Sequence, residues 1–73
     1  MVYRRGMWLV ADGKAGIGMD FYDNIATIHF IGTDGVTSEI ADYPYSEVRQ
    51  AKYDEIPDIR KPSKDVAKQY GYL

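Results

Sequence analysis

The chain has 73 residues, a formal net charge of −2 and no cysteine. A chain of this length forms one domain with a thin core. The lack of cysteine excludes disulfides and zinc sites of the usual Cys/His type. No apolar run approaches the ~20 residues that a membrane-spanning helix needs, so we expect a cytoplasmic protein.

The charges are unevenly distributed along the chain. Six acids and no lysine or arginine lie between Ala15 and Val48, and all nine bases lie outside this block. Because an acidic segment repels phosphate backbones, a nucleic acid would have to bind the basic residues that follow it. These are Arg49, Lys52, Arg60, Lys61, Lys64 and Lys68.

Three turn signals divide residues 7–42 into four predicted strands. Asp12-Gly13 is typical of a two-residue type I′ hairpin, in which both positions need positive φ, and Asp23-Asn24 is a second pair of this kind. The Thr-Asp-Gly sequence at 33–35 is typical of a three-residue loop. We therefore predict an antiparallel meander.

The three loops also predict a register. The first hairpin sets Trp8 opposite Ile17 and Leu9 opposite Gly16. The second sets Ile17 opposite Phe30 and Met19 opposite Ile28, and the third sets Ile28 opposite Ile40 and His29 opposite Glu39. Since side chains alternate between the faces of a strand, one face is apolar and is the predicted core: Trp8, Val10, Ala15, Ile17, Met19, Phe21, Ala26, Ile28, Phe30, Ser38 and Ile40.

The second face of this predicted sheet is the candidate contact surface. Met7 and Leu9 lie there opposite two glycines, which leaves a shallow apolar trough. We expect the trough either to be filled by the chain's own tail, through Ile56, Ile59, Val66 or Tyr70, or to bind a partner. Together with tyrosines, which suit protein interfaces, the candidate interaction residues are Met7, Leu9, Tyr22, His29, Ile31, Tyr43 and Tyr45.

The rest of the chain predicts a closing strand and a helical tail. Ser46 is expected to cap a short helical turn, and residues 48–53 are expected to form a fifth strand. This order resembles an SH3-like antiparallel barrel of four or five strands over residues 1–55, in a mainly β fold. Residues 56–73 are predicted to form an extended, proline-containing segment and a short helix from a Ser63 cap to Tyr70, ended by Gly71. This tail packs on the barrel or on a neighbour.

The sequence contains no set of residues that performs catalysis. His29 is the single histidine, and no nucleophile or second base is predicted beside it. Asp20 and Glu39 are too few to hold a metal ion. We predict that the protein is not an enzyme and has no cofactor and no metal.

Several short segments resemble a group of small, mostly uncharacterised proteins encoded in tailed-phage and prophage genomes. They are Met7-Trp8, Asp12-Gly13-Lys14 with Gly16-Ile17, Val48-Arg49-Gln50-Ala51, Glu55-Ile56-Pro57, Arg60-Lys61-Pro62, and Ala67 leading to Gly71-Tyr72-Leu73. The resemblance implies a bacterial host cell or a virion as the location, and virion assembly or accessory binding as the role. It supplies no catalytic residues.

Two functional interpretations follow from the sequence. The first is a non-enzymatic interaction or assembly module that self-associates or binds a phage structural protein through the second face and the tyrosines. The alternative is a small barrel that binds nucleic acid through the basic C-terminal residues.

Overall fold

The computed structural model describes residues 3–32 and 36–73, which form a mainly β fold. The strands are β1 (Trp8–Ala11), β2 (Lys14–Tyr22), β3 (Ile25–Ile31), β4 (Ser38–Pro44) and β5 (Val48–Gln50). They form one antiparallel sheet in the order β4-β3-β2-β1-β5, which is not closed and has β4 and β5 at its edges. The described residues also form three 3₁₀ turns, at Tyr45–Glu47, Tyr53–Glu55 and Asp58–Arg60, and one helix, α1 (Lys64–Tyr70).

The two tight turns have the backbone geometry that the sequence predicts. Asp12 and Gly13 have φ of 53° and 73°, and the Asp23-Asn24 pair has φ of 51° and 62°. The first hairpin has the predicted register, with Trp8 opposite Ile17 and Leu9 opposite Gly16. The third predicted turn, at 33–35, lies outside the described residues.

The predicted register of the second hairpin is wrong beyond its first pairs, because β2 contains a bulge at Met19. Gly18 pairs with Ile28 and Asp20 pairs with Thr27, so Met19 has no opposite residue on β3. A bulge adds one residue to one strand and shifts every pair beyond it. Ile17 is therefore opposite His29 and not opposite Phe30.

The predicted register of the third hairpin is also wrong by one residue. His29 pairs with Ile40 and not with Glu39, and Ile28 pairs with Ala41 and not with Ile40. The cause is a longer connection than a three-residue loop, since the Gly32 amide donates to the carbonyl of Thr37 at 2.7 Å.

The bulge determines which side chains form the core. Leu9 and Ile28 are both fully buried, and a Cβ added to Gly18 would lie 3.1 Å from Leu9 Cδ1. Leu9 therefore shares the interior with Ile28, and its predicted place on the second face is wrong. Met7 is buried as well, whereas Met19, which the sequence predicts in the core, is 43% exposed at the bulge. Ile40, also predicted in the core, is 60% exposed because of the register of the third hairpin.

The opposite side of β1 is buried by the C-terminal segment. The Trp8 amide donates to the hydroxyl oxygen of Tyr72 at 2.7 Å, and Pro62, Val66 and Tyr72 of the tail line a cleft beside Trp8. Of the four tail residues expected to cover the second face, Ile56 is buried, and Ile59, Val66 and Tyr70 are exposed. Burial on both sides explains why β1 is a continuous apolar run.

The ends of α1 agree with the sequence signals. The Ser63 hydroxyl oxygen accepts from the Val66 amide at 3.3 Å, and Gly71 adopts the left-handed conformation at φ 83°. The turn before β5 differs from the prediction, because Pro44 and not Ser46 precedes it, and no side chain caps it. No helix in residues 3–32 or 36–73 is long and apolar enough to span a membrane.

Substitution of Gly16 by alanine tests how closely the core side chains pack against β2. A Cβ at Gly16 would lie 2.6 Å from Ile28 Cγ2 and 2.9 Å from the backbone oxygen of His29, whereas a Cβ at Gly18 would meet the ring tip of Phe21 at 2.6 Å. We expect Gly16→Ala to lower the free energy of unfolding by about 3 kcal/mol and Gly18→Ala by about 1 kcal/mol, because overpacking costs less where a side chain can move. Urea denaturation of both variants measures this difference, and a neutral Gly16→Ala would contradict the packing described.

Candidate protein-interaction face

Three cross-strand rows of side chains cover the side of β2–β4 that faces away from the core, which we call the outer face. Directly paired residues of an antiparallel sheet lie on the same side. An upper row contains Ile17, His29 and Ile40, a central row contains Asp20, Thr27 and Asp42, and a lower row contains Tyr22, Ile25 and Pro44.

The upper and lower rows expose apolar surface. Ile40 is 60% exposed at the end of the upper row, and Tyr22 and Ile25 are 74% and 37% exposed in the lower row. Met19, at 43%, lies at the bulge between inward-facing Gly18 and Phe21. Neighbouring exposed apolar residues of this kind are typical of interaction sites.

The central row carries negative charge between the two apolar rows. Thr27 Oγ1 donates to Asp42 Oδ1 at 2.7 Å, which orients the Asp42 carboxylate. Arg5 Nη2 lies 3.4 Å from Asp20 Oδ1, and both side chains are well exposed. In the part of the chain that the structure describes, Asp42 has no ion-pair partner, so the outer face can bind a cationic group at this row.

The structure separates the seven predicted interaction residues. Met7 and Leu9 lie in the core, while Tyr22, His29 and Ile31 lie on the outer face, where only Tyr22 is well exposed. Tyr43 packs edge-on against Phe30 at 6.0 Å between ring centroids. Tyr45 contacts Tyr3 at 5.2 Å and Phe21 at 6.3 Å, so both half-buried tyrosines support the sheet.

Sequence reasoning missed three residues of the outer face: Met19, Ile25 and Ile40. The predicted register placed Met19 in the core because the bulge has no hydropathy signal of its own. It placed Ile40 there because the connection between β3 and β4 is longer than the predicted three-residue loop. The two glycines at 16 and 18 indicate a bulge or a bend in this strand, since glycine inside a strand often marks one, but they do not give the position of the extra residue.

The predicted pair of His29 and Glu39 is wrong. The two residues lie one position apart in register, and the Glu39 carboxylate is instead 3.8 Å from Lys14 Nζ. Lys14 Nζ also lies 5.0 Å from the centroid of the Phe30 ring. In residues 3–32 and 36–73, no group of three or more histidine or acidic side chains is close enough to hold a metal ion.

Two of the six predicted nucleic-acid-binding residues form hydrogen bonds and ion pairs with the C-terminal segment. Arg49 donates through both Nη atoms to the Glu55 carboxylate at 2.7 Å. Lys61 Nζ donates to Asp58 at 2.7 Å and to the Ile56 carbonyl at 2.9 Å. The other four are exposed: Lys52, Arg60, Lys64 and Lys68.

The start of the tail leaves a cleft beside Trp8. Trp8, Ile31 and Gly32 line it from the sheet, and Pro57–Arg60 line it from the tail, around about 250 Å³. The tail therefore reaches one corner of the outer face, at Ile31, and leaves the exposed side chains of the upper and lower rows uncovered.

Comparisons with protein-family models, curated proteins and solved structures found no match to this chain.

Glu55 makes the attachment of the tail dependent on pH. Hydrogen bonds from the Arg49 guanidinium and from the Lys52 amide lower the pKa of Glu55 to about 2. Because this pKa lies below the unfolded value of about 4.3, the stabilisation is complete above about pH 4.3 and is lost as the pH falls through 2. We expect Glu55→Gln to be less stable than the wild type at pH 6 and equally stable near pH 2, measured by urea denaturation across this range.

Glu47→Gln is the matched control, since Glu47 is exposed and has no side-chain partner among the residues that the structure describes. It should leave the stability at pH 6 unchanged. A constant difference between Glu55→Gln and the wild type from pH 6 to pH 2 would contradict the role given to the carboxylate.

Proposed function

We propose that this protein is a non-enzymatic protein-interaction module that binds its partner with the outer face of β2–β4. The observation that carries the proposal is the arrangement of the three rows, in which exposed Tyr22 and Ile40 flank the carboxylates of Asp20 and Asp42. The protein's own tail covers the β1 side of the sheet and leaves these side chains open.

The charge of the outer face defines the chemistry of the partner. Its central row carries Asp20, which an exposed Arg5 contacts at 3.4 Å, and Asp42, and the sequence has no lysine or arginine between Ala15 and Val48. A partner segment with a lysine or arginine between apolar residues would place its charge on the central row and its apolar side chains on the two others. Complementary charge favours association and fixes its register.

We further propose that the sheet curls as an SH3-like barrel and that the module serves phage virion assembly or accessory binding. The 3₁₀ turn between β4 and β5, and the pairing of β5 with β1, support the barrel. The resemblance to small tailed-phage and prophage proteins supports the setting, in a bacterial cell or a virion. Ion pairs at Arg49 and Lys61 favour this function over nucleic-acid binding.

A titration with defined peptides tests the proposed function. Two peptides of equal length, one alternating leucine with lysine and one alternating leucine with glutamate, are added to ¹⁵N-labelled protein and followed by NMR. We expect the lysine peptide alone to shift the amide signals of β2–β4. Tyr22→Ala should weaken this binding about tenfold, or about 1.4 kcal/mol, because a large aromatic side chain that becomes buried in a contact carries much of its energy.

Tyr70→Ala is the matched control, since Tyr70 is an exposed tyrosine of α1, outside the three rows. It should bind the lysine peptide as the wild type does. Equal binding of both peptides, equal weakening by both tyrosine variants, or no signal change at millimolar peptide would contradict the proposal.

A further inference from the structure

The β4 strand has an unpaired edge. The Gly32 amide donates to the Thr37 carbonyl, and the Tyr45 amide donates to the Asn24 carbonyl, so odd-numbered residues of this segment direct their backbone groups to β3. In an antiparallel strand the intervening residues direct theirs the other way. The N–H and C=O groups of Ser38, Ile40 and Asp42 therefore point out of the sheet.

The other edge of the sheet is short and partly covered. β5 has three residues, and the Tyr3 hydroxyl donates to the Val48 carbonyl at 2.9 Å. Just beyond β5, the Tyr53 amide donates to the Tyr72 carbonyl at 3.0 Å. β4 is therefore the edge at which another strand can add.

Exposed edge strands are templates for pairing, and proteins usually protect them with lysine, proline or a covering segment. β4 contains no lysine, and its proline is the last residue of the strand. No described segment pairs with its free side. We propose that β4 pairs with β4 of a second copy of this chain, antiparallel about a twofold axis at Ile40. This inference goes beyond the proposed function, which concerns the outer face, and names a second copy of the chain as the partner of the β4 edge.

The sequence of β4 favours this register over its neighbours. With the axis at Ile40, Ile40 lies opposite Ile40 and each Asp42 lies opposite Ser38, whose hydroxyl can donate to the carboxylate. These three pairs exchange two hydrogen bonds each in a regular ladder, or about six in all.

Each shifted register has a defect. An axis at Asp42 sets two carboxylates opposite each other and sets Pro44, which has no N–H, opposite Ile40. An axis at Glu39 also sets like charges opposite each other, which destabilises a cross-strand pair. An axis at Ala41 sets the charged Asp42 opposite the apolar Ile40. An axis at Ser38 pairs only Ser38 with Ser38 within β4, which leaves too few hydrogen bonds between the two strands.

Light scattering and sedimentation over a concentration series test the pairing. We expect the mass of the wild type to rise from 8.3 kDa towards twice this value. Ile40→Lys should remain monomeric, because it sets two lysines opposite each other on the twofold axis. Ile25→Lys is the matched control, since Ile25 is on the same outer face but on β3, which is not an edge strand, and it should still dimerise.

Hydrogen exchange of the wild type gives a second measurement that needs no variant. In the dimer, the amides of Ser38, Ile40 and Asp42 should exchange at least tenfold more slowly than at low concentration. The amides of Glu39 and Ala41, which already face β3, should not change. A wild type that remains monomeric at millimolar concentration would overturn the inference.

A dimer that survives Ile40→Lys and is lost in Ile25→Lys would also overturn it, because the contact would then be the outer face and not the edge. Neither outcome decides the proposed function, which depends on peptide binding and on Tyr22. Loss of peptide binding with an Ile40-dependent dimer would contradict the function of the outer face and leave the strand pairing intact.

Discussion

The bulge at Met19 is the constraint on which the rest of the structure depends. It adds one residue, so that two residues instead of one lie between Gly18 and Phe21, both of which face the core. The extra residue shifts the alternation of side chains along β2 by one position. Gly16 and Gly18 before the bulge and Phe21 after it therefore all lie on the core side of the sheet. The two glycines of β2 complete the arrangement, since Leu9 and Ile28 occupy the space that their missing side chains leave.

The same constraint determines what remains available for binding. By turning Leu9 inward, it removes the apolar trough from the surface. The exposed apolar side chains that remain for binding are those of Tyr22, Ile25 and Ile40. The tail then covers only the β1 side of the sheet, where Tyr72 accepts the amide hydrogen of Trp8. The protein thus divides its sheet into a covered half, which supplies stability, and an open acidic half, to which we assign binding.

The tight turns and the helix ends, which depend on the backbone preferences of single residues, were predicted from the sequence. The register of β2, β3 and β4, which depends on the number of residues in each strand and connection, was not. Asp12-Gly13 and the ends of α1 follow from backbone preferences of single residues. The β2–β3 register was wrong because an unpaired residue changes no local preference. The β3–β4 register was wrong because the connection before β4 is longer than a three-residue loop, and this shift moved Ile40 from the predicted core to the surface. The contact of Tyr72 with Trp8 joins residues 64 positions apart, beyond the reach of any periodicity.

The register of the second and third hairpins is most directly measured by cross-strand nuclear Overhauser effects between backbone protons. The bulged sheet predicts contacts of Gly18 with Ile28 and of His29 with Ile40. Contacts of Met19 with Ile28 and of Ile28 with Ile40 would show a regular ladder. They would return Leu9 to the surface and contradict the account of both the core and the outer face.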